Sequence, residues 1–408
     1  MTTPPPDLMN RLRRLWADET PPPAEVAAAT PSPAPATPLA ETALDALEQP
    51  VVVVAATNRA DPSGRRIAYA NPAARSVLRI RSDPALLAAS IRDPDLLEAV
   101  DAALFDGAET SVEMDTGGVQ TQRWRVSVRP LTATGAEALA LLSMRDETDA
   151  HRTEMTRVDF LANASHELRT PLASLNGFIE TLKGPARDDA AARDRFLDIM
   201  AAQTDRMGRL ISDLLSLSRI ELNERVPPSG EVDLAGVAAD VIDALSVIAA
   251  RRGVTIRLVP GDGEALVNGD RDQLTQVVQN LADNALKYSP DGGEVEITLR
   301  GGLTGARAAE GSWPEATRLP LLTPELEPGT RYVAVTVRDH GPGMARQYMP
   351  RLTERFYRVE GQKSGDRLGT GLGLAIVKHV INRHRGGLAV ESEPGQGAAF
   401  TAWLPELS

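Results

Sequence analysis

Phe160-Leu161-Ala162-Asn163-Ala164-Ser165-His166-Glu167-Leu168-Arg169-Thr170-Pro171-Leu172 lies inside a heptad pattern. Leucine occupies positions 161, 168, 175 and 182, and Val158, Leu172 and Ile179 form a second row whose missing member is Ser165. The pattern breaks at Lys183-Gly184-Pro185-Ala186-Arg187-Asp188-Asp189. It resumes with one row of Phe196, Leu210 and Leu217 and another of Met200, Met207 and Leu214. Two long heptad helices joined by a short polar loop predict an antiparallel hairpin. A single hairpin cannot cover its own apolar seam, whereas two make a four-helix bundle, so the pattern predicts a homodimer. His166 sits one residue past the seam position held by Ser165, which turns it to solvent. A neutral imidazole is a competent nucleophile near neutral pH. Glu167 can orient the ring and take its proton. Pro171, inside the helical pattern, removes a backbone hydrogen bond at a cost of about 3 kcal/mol and predicts a local kink. A lone exposed histidine is most often bland; this one comes with an adjacent acid and a helix-breaking proline.

Further along, Asn280-Leu281-Ala282-Asp283-Asn284-Ala285-Leu286-Lys287-Tyr288-Ser289 reads as helix. Asn280 and Asn284 share a face, with Lys287 and Tyr288 close by. Amide oxygen suits Mg²⁺, and Lys287 supplies a point charge for phosphate. Asp339-His340-Gly341-Pro342-Gly343-Met344 ends a strand. A carboxylate there can accept from an amino group such as adenine N6, and the glycines permit close approach of backbone. Gly369-Thr370-Gly371-Leu372-Gly373-Leu374 precedes a helical run, whose first N–H groups can hold phosphate. Each motif alone is weak. No Gly-x₄-Gly-Lys-Ser/Thr loop exists, and neither glycine cluster completes Gly-x-Gly-x-x-Gly, because Arg346 and Leu374 hold the last place.

The order of the motifs carries the argument. Ser165 to Leu172 resembles the phosphoacceptor box of two-component sensor histidine kinases. Asn280–Ser289, Asp339–Gly343, Phe356-Tyr357-Arg358 and Gly369–Leu374 resemble that family's N, G1, F and G2 boxes in their order. The resemblance covers roughly residues 150–408. It implies ATP and Mg²⁺ as cofactors, with Mg²⁺ at Asn284 and a nucleotide site that includes Asn280. Lys287 and Tyr288 would line the phosphates, Asp339 would read adenine beside Gly341 and Gly343, and Thr370, Gly371, Leu372 and Gly373 would border the triphosphate. Residues 344–368 would be a mobile lid whose Arg355 and Arg358 reach phosphate. His166 would be the phosphorylated residue with Glu167 as base, the partner a response regulator with a receiver-domain Asp, and Thr170 the residue that helps dephosphorylate it. Within the family, Arg367-Leu368-Gly369 through Lys378-His379 and Asn382-Arg383-His384-Arg385-Gly386-Gly387 resemble the phosphate-regulon sensors of alphaproteobacteria.

Outside this region the chain is different in kind. Its 408 residues carry 44 Lys plus Arg against 56 Asp plus Glu, net −12, a poor balance for sequence-independent nucleic-acid binding. With no cysteine, disulfide scaffolds, thiolate zinc and thiol catalysis are excluded. No window offers the ~20 consecutive apolar residues of a membrane span, and residues 1–16 lack a signal-peptide plan, so the chain reads as soluble. Residues 1–40 hold ten prolines and predict a stiff tether. Within it, residues 7–16 form an amphipathic patch, read either as a nascent helix or as a foot on a membrane or membrane partner. From 44 to 147, strands at 51–56 and 67–70, helices at 72–78 and 94–105 and strands at 109–115, 121–129 and 137–145 resemble a PAS sensor domain, which would serve either as a ligand-binding or as a packing module.

The expected architecture is therefore multidomain α+β: a tail (1–43), a PAS-like domain (44–147), a dimerising helical hairpin forming a four-helix bundle (148–225) and a GHKL-type α/β sandwich that binds ATP (226–408). Residues 301–330 read as a long excursion between two strands. His379 and His384 are expected as cations at a helix end. The resemblance implies a cytoplasmic protein, or one at the inner face of the cell membrane. A serine-directed kinase or chaperone-like ATPase of the same ATP fold would not need the His166 box. A catalytically impaired scaffold or phosphatase of the same family is the other alternative.

Overall fold

The computed structural model describes residues 39–407 except 82–84, 118–120, 133–136, 225, 260, 312, 327 and 360–368. The proline-rich tail through residue 38, with its amphipathic patch, and residues 360–368 of the expected lid lie outside the described residues. Two units divide the chain, one ending at Met155 and one starting at Thr156.

The first unit begins with α1 (Leu39–Asp45), β1 (Val51–Ala56), β2 (Arg66–Ala70) and α2 (Pro72–Leu78). Then come β3 (Ala85–Leu86), α3 (Leu87–Ser90), α4 (Pro94–Asp106), β4 (Thr110–Thr116), β5 (Gln122–Leu131) and β6 (Ala138–Asp146). The strands form one antiparallel sheet in the order β3-β2-β1-β6-β5-β4. Helix α4 lies on its β4, β5 and β6 strands. Its start is fixed by Asp93, whose side chain accepts from Leu96 N–H, and by Pro94 in the first turn. Asn71 organises the other side. It is fully buried, its Oδ1 accepts from Val51 and Ala74 N–H, and its Nδ2 donates to the carbonyls of Leu44, Leu47 and Gln49. One amide thus caps α2 and ties the end of α1 to β1.

The second unit contains most of α5 (Thr148–Lys183) and α6 (Ala190–Leu222). Asp189 caps α6 by accepting from Ala192 N–H. Phe178 meets Phe196 near the connection at 5.4 Å between ring centroids, and Glu167 meets Arg206 farther from it at 3.0 Å, so the helices run antiparallel. α5 continues through Pro171, whose ring is buried.

Beyond α6 stand β7 (Gly230–Asp233), α7 (Leu234–Arg251), β8 (Thr255–Val259), β9 (Leu266–Gly269), α8 (Arg271–Tyr288) and β10 (Glu294–Thr304). α9 (Gly305–Ala309), β11 (Thr317–Leu322), β12 (Arg331–Asp339), α10 (Gly373–Arg383), β13 (Gly387–Glu393) and β14 (Gly397–Pro405) complete the unit. The main sheet has the order β11-β13-β14-β12-β10-β8, with only β8 and β10 parallel. Strand alternation builds two faces. Val333, Val335 and Val337 of β12 enter the core under α7, α8 and α10, while Tyr332 and Ala334 pack on the opposite side with Ala389, Trp403 and Ala308.

Residues 301–330, expected as an excursion, contribute strand and helix to this sheet in their described parts. β10 extends to Thr304, α9 covers the second face through Ala308, and β11 adds an edge strand to β13. Trp313 donates its backbone N–H to the buried Glu391, and the Arg338 guanidinium lies 4.2 Å over its ring. The small sheet of β7 and β9 had no sequence signal strong enough to find. Among the described residues no helix is long and apolar enough to cross a membrane.

His384 differs from its expected state. It is 4% exposed, its Nδ1 faces Val380 O at 2.8 Å, and its Nε2 accepts from Asp270 N–H at 3.1 Å. Burial, the largest cause, lowers its pKa. It is a neutral link between α10 and the start of α8, not a cation at a helix end.

Replacing Asn71 by Ala should destabilise the first unit by about 2–4 kcal/mol, because buried N–H and C=O groups lose their partner. Denaturant unfolding followed by a probe in that unit checks this.

Candidate active site

Helix α8 faces two environments. Leu274, Val277, Val278, Leu281, Ala282, Ala285 and Leu286 are buried in the core. The remaining face turns Asn280, Asn284 and Lys287 to a cavity of about 660 Å³. Asp270 starts the helix by accepting from the N–H groups of Asp272 and Gln273. Asp339, at the end of β12, forms another part of the cavity wall, with Gly343, Tyr288, Arg358, Thr370, Gly371 and Gly373. Four motifs spread from Asn280 to Gly373 thus converge on one space.

The wall is polar where the motifs meet. Asp339 is buried, and its Oδ1 accepts from Gly341 N–H at 2.8 Å. Burial pushes its carboxyl up to about 6, against the opposing pull of the Gly341 and Ala398 N–H groups and Arg338. Lys287 Nζ lies 3.3 Å from the Tyr288 hydroxyl and 4.8 Å from its ring centroid. Asn280 Nδ2 is buried with no hydrogen-bond partner among the described residues, a donor available to a ligand. Gly343 and Gly371 both have positive φ, and a Cβ at these positions would meet Glu393 O at 2.1 Å and Phe356 Cα at 2.8 Å. Any other residue would therefore distort the wall. The fit to a purine nucleotide is chemical: a buried carboxylate for an amino group, an amine for phosphate and an unpaired amide. Among the described residues no group of three or more His, Cys, Asp and Glu could hold a metal. The single amide oxygen of Asn284 suits a hard cation that arrives with phosphates and water.

Helix α6 supplies a wall that sequence reasoning missed. Arg206, Arg209 and Asp213 line the same cavity. Thr370 Oγ1 donates to Asp213 Oδ2 at 2.8 Å and accepts from Leu372 N–H at 3.3 Å. Burial raises the Asp213 pKa, with the Thr370 hydrogen bond and Arg209 opposing. No motif marks these residues; their spacing on one helical face reads equally as a solvated surface.

The remaining expected residues lie elsewhere. Leu372 is fully buried in the core and holds the glycine-rich turn from behind. Gly341 packs against the Tyr288 carbonyl, where a Cβ would stand at 2.4 Å. Arg355 turns to the helical pair, 2.5 Å from Glu221 and 5.1 Å over the Phe160 ring, away from the cavity that Arg358 lines. His379 Nδ1 lies 3.3 Å from Glu224. His166 is exposed on α5 and does not line the cavity; Thr170 Oγ1 donates to its carbonyl at 3.3 Å. Glu167 Oε2 accepts from Arg206 Nη2 at 3.0 Å.

Comparisons with known proteins follow the same division. A family model for the His Kinase A (phospho-acceptor) domain matches residues 156–223. A model for the histidine kinase-, DNA gyrase B- and HSP90-like ATPase matches residues 269–408. The phosphate regulon sensor protein PhoR of Pseudomonas aeruginosa is 36% identical over 261 residues, 64% of this chain and 53% of that protein. The sensor-like histidine kinase SenX3 of Mycolicibacterium smegmatis is 34% identical over 267 residues, 65% of this chain and 62% of that protein. SenX3 of Mycobacterium bovis is 31% identical over 323 residues, 75% of this chain and 72% of its own length. The chain thus spans 53% and 62% of the first two relatives and nearly three quarters of the third. With a phosphoacceptor-type helix, an ATPase-type sandwich and relatives of this coverage, the chain belongs to the sensor histidine kinase family.

Proposed function

We propose that the protein is an ATP-dependent protein-histidine kinase that phosphorylates His166 and passes the phosphoryl group to an aspartate of a response regulator. The observation that carries this reading is the convergence of Asn280, Asn284, Lys287, Asp339 and Thr370 on one cavity, in the unit that also holds the His166–Glu167 helix. Asp339 accepts from the adenine amino group, Lys287 and Arg358 face the phosphates, and the Gly371–Gly373 turn borders the triphosphate. Mg²⁺, held by Asn284 and the phosphates, would neutralise charge on the transferring group. A ring nitrogen of His166 attacks the γ-phosphorus, the bond to the β–γ bridging oxygen breaks, and ADP leaves with the electron pair. Glu167 takes the proton of the other ring nitrogen. His166 lies outside the cavity wall, so the sandwich must move against the helices before transfer.

The sheet order β2-β1-β6-β5-β4, with the two-residue β3 at its edge, supports a PAS-like reading of the first unit. Val158, Leu161, Leu172 and Ile179 of α5 and Leu197, Ile211 and Leu215 of α6 are exposed apolar residues. They support a homodimer whose two helical pairs form a four-helix bundle. The name of the Pseudomonas relative and the Asn382–Gly387 stretch support a role in phosphate-starvation signalling. Thr170 would serve the reverse reaction, hydrolysis of the regulator's phosphoaspartate. The proposed location is the cytoplasm, or the inner face of the cell membrane.

Incubation with γ-labelled ATP and Mg²⁺ should give an acid-labile, alkali-stable label, absent from His166→Gln and Asn284→Ala. Label persisting in His166→Gln would overturn the assigned acceptor. ATP binding without any label would favour a scaffold or phosphatase.

The Asp339 carboxylate is the form that accepts a hydrogen bond, and its protonated form dominates below about 6. Nucleotide affinity should therefore be full above that pH and fall as pH drops through it, by up to about tenfold per unit. Asp339→Asn should weaken binding and remove this pH step, as calorimetric titration across pH 5–8 would reveal.

A further inference from the structure

We propose that Arg206 is a positioning residue that couples nucleotide binding to release of the acid beside His166. This inference rests on the kinase reading above. Arg206 has two claimants. Its Nη2 lies 3.0 Å from Glu167 Oε2, and the same side chain lines the cavity that contains Asn280, Asn284 and Lys287. The Arg206 side chain is 21% exposed and that of Glu167 39%, so the pair sits at the cavity rim. Arg209, three residues on, lines the same cavity, and Asp213 one turn further takes the Thr370 hydroxyl. One face of α6 thus presents two cations and a carboxylate to the nucleotide space.

Guanidinium is always charged and binds phosphate through paired N–H groups as well as it binds carboxylate. The only anion paired with Arg206 among the described residues is Glu167. A polyphosphate entering the cavity brings several negative charges and competes for the same donors. As Arg206 turns to the phosphates, Glu167 Oε2 loses its partner and becomes available to the imidazole N–H of His166. The proton then passes from that N–H to the Glu167 carboxylate as the γ-phosphoryl group moves from ATP to the second ring nitrogen and ADP leaves with the electron pair. Occupancy of the nucleotide site and readiness of the base are linked through one side chain, and linkage is reciprocal.

Reciprocity gives a test that needs no phosphotransfer. A non-hydrolysable Mg-ATP analogue is titrated calorimetrically into the full chain and into Arg206→Gln, Glu167→Gln and the double variant. Loss of a charge-assisted contact should weaken binding to Arg206→Gln by about tenfold or more. Glu167→Gln should bind more tightly, by up to about fivefold, because its competitor is gone. That gain should vanish in the double variant. Arg206→Lys should keep part of the affinity. Unchanged binding in Arg206→Gln, or a Glu167→Gln gain that survives in the double variant, would overturn the inference while leaving the kinase reading intact. Failure of the unmodified chain to bind the analogue would overturn the kinase reading and this inference with it.

Discussion

The second unit depends on how one helix, α6, is shared. Its Leu210, Leu217 and Ile220 are almost wholly buried and belong to the same core as Val237, Leu274 and Ile376 of the sandwich. Each such side chain contributes about 1.5–3 kcal/mol when removed from water. Polar contacts along the same helix fix the register: Ser216 to Gln276, Asp213 to Thr370, Glu221 to Arg355 and Glu224 to Asn382. The neutral Ser216–Gln276 contact adds about 0.5–1.5 kcal/mol, and those to carboxylates up to about 1.5–3 kcal/mol, less where water screens them. Apolar burial and these polar contacts together hold the sandwich on α6, and the hydrogen bonds decide which residues meet. Without that seat, the cavity would lose the wall carrying Arg206, Arg209 and Asp213.

Electrostatics in this region runs against the chain as a whole. The protein is acidic, with a net charge of −12, yet the cavity gathers Arg206, Arg209, Lys287 and Arg358. Such local concentration of cations suits a highly charged anion, since nearby charges act more strongly than a distant average. Burial works in the other direction on two of the three carboxylates that line the cavity among the described residues. It raises Asp339 and Asp213 alike, but each retains hydrogen-bond donors that oppose the shift. Asp339, pushed up to about 6, still accepts a hydrogen bond as a carboxylate at neutral pH while keeping little hydration to lose on binding.

Much of this was legible in the sequence, for identifiable reasons. Strand 51–56 and helix 72–78 were readable to the residue because an apolar run and an Asn-Pro start have sharp ends. The motifs around Asn280, Asp339 and Gly369 could be ordered because each pairs a polar group with a helix face or a glycine turn. β7, β9 and β11 were not legible: two have four residues each, and β11 contains Pro320. His384 was misread because only three dimensions show that Asp270 N–H supplies its acceptor's partner. The part played by α6 was hidden for a related reason. Polar residues on a helix look solvated until the surface opposite them is known.

An engineered crosslink tests the shared helix most directly, and the natural chain has no cysteine to interfere. Asp213→Cys and Thr370→Cys replace side chains that touch at 2.8 Å. If α6 forms the cavity wall, mild oxidation of the ligand-free protein should join the two within one chain, and saturating nucleotide should slow the reaction by filling the space beside them. A pair that stays reduced without nucleotide would contradict the account, because the sandwich would then not rest on α6 as described.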